Sequence, residues 1–213
     1  MFVGVNSYAY DVTSALSFIH RRRLVHLDVK PANVIVTDRD RCKLTDFGCS
    51  RRLDDEEVGA VRARPRRPGS PAFTGTLTYR APELLRGAAV SPAADVYSLG
   101  VSLWQLRSRA APYAGRRDPH AVVFAVVAYH DRPDTSPARR RRRRRAPGPP
   151  PAVPDVARTP GRRYRNVFRA CWSASPDARP TAAELERLFR AWRSELDVAS
   201  STSSLDTDVT DDV

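Results

Sequence analysis

The sequence predicts a mainly α-helical fold carrying one short β-hairpin. Three observations lead there. Apolar residues recur at helical spacing in four stretches, two short apolar runs flank a single polar turn, and the intervening segments are rich in Pro, Arg and polar residues. At 213 residues the chain is one ordinary domain or a large part of one. Its 41% hydrophobic residues, beside 28% charged, are enough to build a core.

The first stripe, Tyr8, Val12, Leu16 and Ile19, opens the chain inside or near a helix. A polar loop from His26 to Asn33 follows. Val34–Val36, the turn Thr37–Asp40 and Cys42–Leu44 then read as the hairpin. Asp54–Ser70 is polar, Pro- and Arg-rich, and predicts an exposed loop. Beyond Pro92, Ala93–Leu106 carries Val96, Leu99, Leu103 and Leu106 with few charges, the pattern of a deeply buried helix. Ala121–Tyr129 fits a further helix, although its valines leave a strand open. Residues 131–161 are Pro- and Arg-rich and predict a loop or disordered insert. Tyr164, Val167, Phe168, Cys171 and Trp172 form the next helical stripe, and Leu185, Leu188, Phe189 and Trp192 repeat it after the capping box Thr181–Glu184. From Asp197 the composition turns to Ser, Thr and Asp with no basic residue, which predicts a disordered acidic tail.

Charge and cysteine usage narrow the class. Of the net +12, seven positive charges come from the single run Arg139–Arg145, so the basic character is local. That run and the Arg-rich loop at Arg62–Arg67 can meet an acidic partner, nucleic acid or an import receptor, while the plainer reading is a solvated insert. No aromatic residues interleave with the run, which argues against single-strand nucleic-acid binding. Cys42, Cys49 and Cys171 are odd in number and widely spaced, as expected of reduced thiols in a cytosolic or nuclear protein. The longest apolar run, Ala121–Tyr129, is far short of the roughly 20 residues that span a bilayer. No basic region followed by a sustained apolar stretch marks the start of the chain. The expectation is a soluble protein with no membrane partner.

The chemistry concentrates in His26-Leu-Asp-Val-Lys-Pro-Ala-Asn33. A carboxylate (Asp28), an ammonium (Lys30) and a carboxamide (Asn33) share one loop ahead of a strand. Asp46-Phe47-Gly48 follows the second strand of the hairpin, and Ala81-Pro82-Glu83 stands further on. The sequence resembles the C-terminal lobe of eukaryotic protein kinases, whose signatures are H-R-D-x-x-x-x-N, D-F-G and A-P-E in this order. A pattern of five fixed residues such as H-x-D-x-K-P-x-N arises by chance about once in three million start points. Two further motifs in the correct order remove the accidental reading.

The resemblance implies a mainly α fold, a kinase-like large lobe with the hairpin at its catalytic cleft, and ATP and Mg²⁺ as cofactors. Phosphoryl transfer is mostly positioning and charge neutralisation. By resemblance, Asp28 orients the substrate hydroxyl and accepts its proton, and Lys30 neutralises the transferred phosphoryl group. Asn33 and Asp46 supply the oxygens that Mg²⁺ prefers, and Gly48 lets the backbone turn after Asp46. Thr76, in Gly75-Thr-Leu-Thr-Tyr-Arg-Ala-Pro-Glu83, matches the threonine that contacts the catalytic Asp and Lys in serine/threonine kinases. Glu83 and Arg179 match a buried ion pair, and Asp95 a carboxylate that holds the catalytic-loop backbone; those three are structural by resemblance.

Within the kinases, four strings are similar to the Mos kinases of vertebrate oocytes: His26–Asn33, Asp46–Ser50, Tyr79–Leu85, and Ala111–Gly115 with Val126–Tyr129. The likeness runs from about Tyr8 to Leu196, with a gap over the insert. It implies a cytoplasmic activator of a MAP kinase kinase, acting in meiotic maturation and metaphase arrest. One departure from the general pattern is Leu27, where kinases usually carry an arginine that pairs with an activation-loop phosphate. Activity is therefore expected not to depend on that phosphate.

A complete kinase also needs a Gly-rich loop, a strand lysine and a helix glutamate. Residues 1–27 hold one glycine, Gly4, and neither lysine nor glutamate. The expectation is that the N-terminal β lobe is absent. Residues 1–196 would then be a partial kinase domain, with the insert at about 136–161, followed by the tail at 197–213. By itself such a polypeptide would bind ATP poorly and transfer phosphate slowly or not at all. Two readings stay open: a Mos-like serine/threonine kinase acting on a protein substrate, and a non-catalytic module that binds proteins through the large lobe and the basic insert. A basic nucleic-acid-binding protein has only the Arg run behind it.

Overall fold

The computed structural model describes residues 2–53, 76–116, 118–133 and 160–203. Helix α1, Phe2–Arg21, follows from the first apolar stripe, and Tyr8, Ala9, Val12, Leu16 and Ile19 are all buried. It lies along α6, Ala182–Ser203, which buries Leu185, Phe189 and Trp192. The Thr181–Glu184 box opens α6 as expected: Glu184 N donates to Thr181 Oγ1 at 3.2 Å, and Thr181 N donates to a Glu184 carboxylate oxygen at 2.7 Å.

Helix α3, Pro92–Ser108, is the central element, and every residue from Ala94 to Leu103 is buried. The short helix α2, Pro82–Leu85, precedes it. Helix α5, Pro160–Cys171, crosses α3 so closely that Gly100 is required: a Cβ there would lie 2.7 Å from Cys171 Cβ. Between them Ala121–Tyr129 resolves as helix α4, Pro119–Tyr129, and not as a strand. Asp118 caps it by accepting from His120 N at 2.9 Å, and Pro119 suits its first turn.

The hairpin forms where the sequence places it. Strand β2, Val34–Val36, pairs antiparallel with β3, Cys42–Leu44, with Ile35 opposite Lys43. Asp40 takes a positive φ of 52° in its turn. A second ribbon is new: β1, Leu24–Val25, pairs with β4, Arg51–Arg52. Two consecutive arginines carry no strand signal, and the pairing comes from the chain returning beside the loop, where Leu53 N also donates to Arg23 O at 2.7 Å.

Two boundaries differ from the expectations. Helix α6 continues to Ser203, past the compositional break at Asp197, because Asp197–Ser203 contains neither Gly nor Pro to stop it. Helix α5 takes in Pro160 and Gly161, which the sequence groups with the insert; Pro is compatible with a first helical turn. The Asp54–Ser70 loop, the runs Arg62–Arg67 and Arg139–Arg145, most of the insert and residues 204–213 lie outside the described residues. Among the described residues no helix is long and apolar enough to cross a membrane.

Candidate active site

The loop from His26 to Asn33 is held from below by Asp95, in the first turn of α3. Asp95 is fully buried and accepts from His26 N at 2.8 Å, Leu27 N at 2.7 Å and His20 Nε2 at 2.9 Å. Those bonds fix Leu27 at a φ of 68°, a left-handed conformation unusual for leucine. Its side chain is buried in the main apolar cluster, where an arginine would have to leave its charge. With its proton on Nε2, His26 donates to Thr45 O at 3.0 Å and accepts from Asp28 N at Nδ1 at 3.3 Å. Its ring also meets Phe47 edge-on, with centroids 4.8 Å apart.

Asp28 emerges from this platform with its carboxylate at the centre of a polar cluster. Lys30 Nζ donates to Oδ2 at 2.7 Å, and Asn33 Nδ2 donates to the same oxygen at 2.9 Å and to the Asp28 carbonyl at 2.9 Å. Thr76 N donates to Oδ1 at 2.8 Å, and Thr76 Oγ1 accepts from Lys30 Nζ at 2.6 Å. Burial pushes the Asp28 carboxyl up, but the hydrogen bonds from Lys30, Thr76 and Asn33 together outweigh it and hold it below the ordinary carboxylate value. The group is therefore an anion at neutral pH. Two of the three Lys30 ammonium protons are engaged, which leaves one for an incoming anion.

The structure thus brings four of the five sequence-derived site residues, Asp28, Lys30, Asn33 and Thr76, into one hydrogen-bonded cluster. Asp46 stands beside it. Thr45 N donates to Asn33 O at 2.9 Å, so the chain passes the loop just before Asp46. Asp46 itself is exposed, sits at a φ of 62° and accepts from Gly48 N at 3.4 Å. Both Asn33 amide protons go to Asp28 oxygens, which leaves its carbonyl oxygen as a donor for a cation. One carboxylate and one amide oxygen make a hard, sparse donor set, which suits Mg²⁺ held largely by phosphate and water.

Glu83 and Arg179 form the expected buried pair, with bonds of 2.6 and 2.8 Å. Arg179 also donates to Ala93 O at 2.9 Å and Ser173 O at 3.0 Å, which ties α2, α3 and the turn before α6 together. Sequence reasoning missed His20, whose only signal is its place at the end of an amphipathic helix just before the loop. It also missed Tyr79, whose hydroxyl meets Gln105 Oε1 and whose carbonyl accepts from Ser98 Oγ at 2.8 Å.

The model of the protein kinase domain matches residues 4–188. Among curated proteins, the proto-oncogene serine/threonine-protein kinase mos of Sus scrofa is 40% identical over 89% of this chain and 47% of its own length. The protein of the same name from Mus musculus is 38% identical over 89% of this chain and 48% of its own. The serine/threonine-protein kinase-transforming protein mos of Moloney murine sarcoma virus is 38% identical over 89% and 44%. The chain spans about half the length of the curated relatives it matches.

Proposed function

This chain belongs to the protein kinase family, and on that premise we propose that it carries the catalytic centre of a Mos-type serine/threonine kinase, with residues 1–196 as the large lobe. The observation that carries the reading is the state of Asp28: anionic, nearly buried, and accepting one hydrogen bond at Oδ1 against two at Oδ2. That leaves Oδ1 the position to receive a substrate hydroxyl. The hydroxyl oxygen would attack the γ-phosphorus of ATP, its new O–P bond forming as the bond to the β–γ bridging oxygen breaks and ADP leaves, and its proton would pass to Asp28. The free Lys30 proton meets the transferring phosphoryl oxygens. Asn33 and Asp46 would hold Mg²⁺, which neutralises phosphate charge when bound. Thr76 orients Asp28 and Lys30 together, and its place in the motif shared with serine/threonine kinases supports a Ser or Thr acceptor. The protein substrate we propose is a MAP kinase kinase in oocyte maturation, and the compartment is the cytoplasm, a setting that free Cys42, Cys49 and Cys171 fit.

Residues 1–27 supply neither a Gly-rich loop nor a lysine, so a polypeptide of residues 1–213 alone is expected to bind ATP weakly. The test compares the protein with its D28N variant on a MAP kinase kinase. A loss of about 10²–10⁴-fold in kcat is expected. Equal rates would remove Asp28 from catalysis, and no transfer by the unaltered protein would favour the non-catalytic module.

A further inference from the structure

Helix α5 turns a cationic face outward. It carries Arg162, Arg163, Arg165 and Arg169 and no acidic residue. Arg162 and Arg165 stand three residues apart on one exposed face, and neither makes a hydrogen bond or an ion pair with any described residue. Beside them, where α5 meets α6, Arg163 Nη1 donates to Glu195 Oε2 at 2.7 Å, and its guanidinium carbon lies 5.9 Å from the centre of the Trp192 ring. Two buried donors at this contact have no acceptor, Arg163 Nε and Trp192 Nε1, and Trp192 is only 6% exposed. The first turn of α5 adds the positive end of a helix dipole. The contact thus holds more donors than acceptors.

Place and charge indicate the occupant. Helix α6 runs past this turn and leads into the acidic tail, which carries Asp206, Asp208, Asp211 and Asp212 and neither Lys nor Arg. Glu195, the partner of Arg163, lies about 12 Å along the helix from Ser203. From Ser203 the chain to Asp208 spans at most about 17 Å, and to Asp212 about 30 Å. These aspartates can therefore return to Arg162, Arg163 and Arg165. They cannot reach the exposed Arg52 of β4. Helix α1 runs antiparallel to α6, Ser14 against Glu186 and Asp11 against Arg193, which puts Arg52 beside Leu24 about 40 Å from Ser203. One exposed ion pair contributes little, but several carboxylates on a tethered segment meet the arginines at an effective concentration in the millimolar range.

We infer that the tail aspartates dock on the face of α5 that carries Arg162 and Arg165, an intramolecular cover that shields this face from external polyanions. The inference is independent of the kinase reading.

The test places a lysine on the face by R165K and applies a zero-length carbodiimide, which couples an amine only to a carboxylate in contact with it. Coupling of the Lys30–Asp28 pair, 2.7 Å apart, reports in every sample that the reagent has acted. A cross-link is expected between the introduced lysine and a peptide holding residues 204–213, within one chain and at a yield independent of protein concentration. It should fall about tenfold in 1 M salt, where the Debye length is about 3 Å, and fall again when R162Q removes the neighbouring charge. R52K, the remote control, should give none. Failure to couple while Lys30 and Asp28 do, an equal yield from R52K, or a cross-link found only between two chains overturns the inference. Retention on immobilised heparin reads the shielding. Combining D206N, D208N, D211N and D212N should raise the salt needed for elution, and R162Q with R165Q should remove most of that rise. The same rise with and without the two arginines would show that the tail acts through net charge alone, and would also overturn the inference.

Discussion

Asp95 and Asp28 sit at opposite sides of one loop, and each accepts three hydrogen bonds through its carboxylate. The number of bonds does not separate them. Asp95 takes two from backbone N–H groups and one from His20, with no part of the residue reaching solvent. Asp28 takes one from a backbone N–H and two from side chains, Lys30 and Asn33, and its ammonium partner is 20% exposed. Backbone donors in a closed core make a carboxylate an anchor. Side-chain donors at a mouth make one that a substrate can reach while it stays charged.

The largest expected effect tests that division directly. D28N should lose about 10²–10⁴-fold in kcat, about 3–5 kcal/mol of barrier, while its loss of stability in urea should be smaller than that of D95N, because the partly exposed Lys30 can turn its ammonium to water. D95N should do the reverse in kind. Its amide group must face backbone N–H groups, leaving buried donors unsatisfied, for about 3 kcal/mol of lost stability. Similar losses of stability in both variants would break the comparison. Because the Asp28 carboxyl lies below the ordinary carboxylate value, it is already ionised throughout the neutral range. The pH–rate profile of the unaltered protein should therefore show no acid limb from Asp28 until the pH falls below the ordinary carboxylate value.

That contrast also marks what the sequence makes legible. Apolar stripes at helical spacing are local signals, and Tyr8–Ile19, Ala93–Leu106, Tyr164–Cys171 and Leu185–Trp192 all form helices, Trp172 falling in the turn just after α5. The hairpin and the capping box are equally local, and they form where expected. Asp28, Lys30 and Asn33 are legible because they lie within six residues of one another, and Thr76 through its motif. Pairings across long stretches of chain carry no such signal. His20 meets Asp95 from 75 residues away, and β1 meets β4 through two arginines. The choice between helix and strand for Ala121–Tyr129 is open in sequence for a related reason: valine content argues for a strand, but Asp118-Pro119 at its start and packing against α2 and the Leu77–Tyr79 turn select a helix.

A smaller effect is expected where the interior holds no charge at all. At the α3–α5 crossing, G100A would set a methyl group 2.7 Å from Cys171 Cβ and 3.0 Å from Phe168 O, a backbone atom that cannot give way cheaply. Ala favours a helix over Gly by up to about 1 kcal/mol, and overpacking costs about 1–3 kcal/mol, so a net loss of about 1–2 kcal/mol is expected. Calorimetry should register a fall in Tm of about 2–4 °C for each kcal/mol. Gly100 lies more than one turn along α3 from Asp95, and the atoms nearest a Cβ there belong to Cys171, Phe168 and Trp172, so activity per folded molecule should be unchanged. A stabilised G100A would mean that the helices separate readily.

The smallest effect isolates burial from bonding, because Glu184 resembles Asp95 in its partners but lies in water. It accepts from Thr181 N at 2.7 Å and Thr181 Oγ1 at 2.9 Å. Those bonds lower its pKa. A lowered folded value means that the ionised carboxylate contributes stability above the unfolded pKa and loses it as pH falls through the folded one. Exposure keeps that contribution small. E184Q retains an acceptor for the capping box and removes only the charge, so it should cost a few tenths of a kcal/mol, ~0.3, at neutral pH. The difference should vanish in acid, where the unaltered residue is itself neutral. T181A, which removes the cap hydroxyl, should cost about 1 kcal/mol at both pH values. Urea titrations of the three proteins at neutral and acid pH read both differences. An E184Q penalty as large as that of D95N would show that backbone donors, and not enclosure, make the anchor.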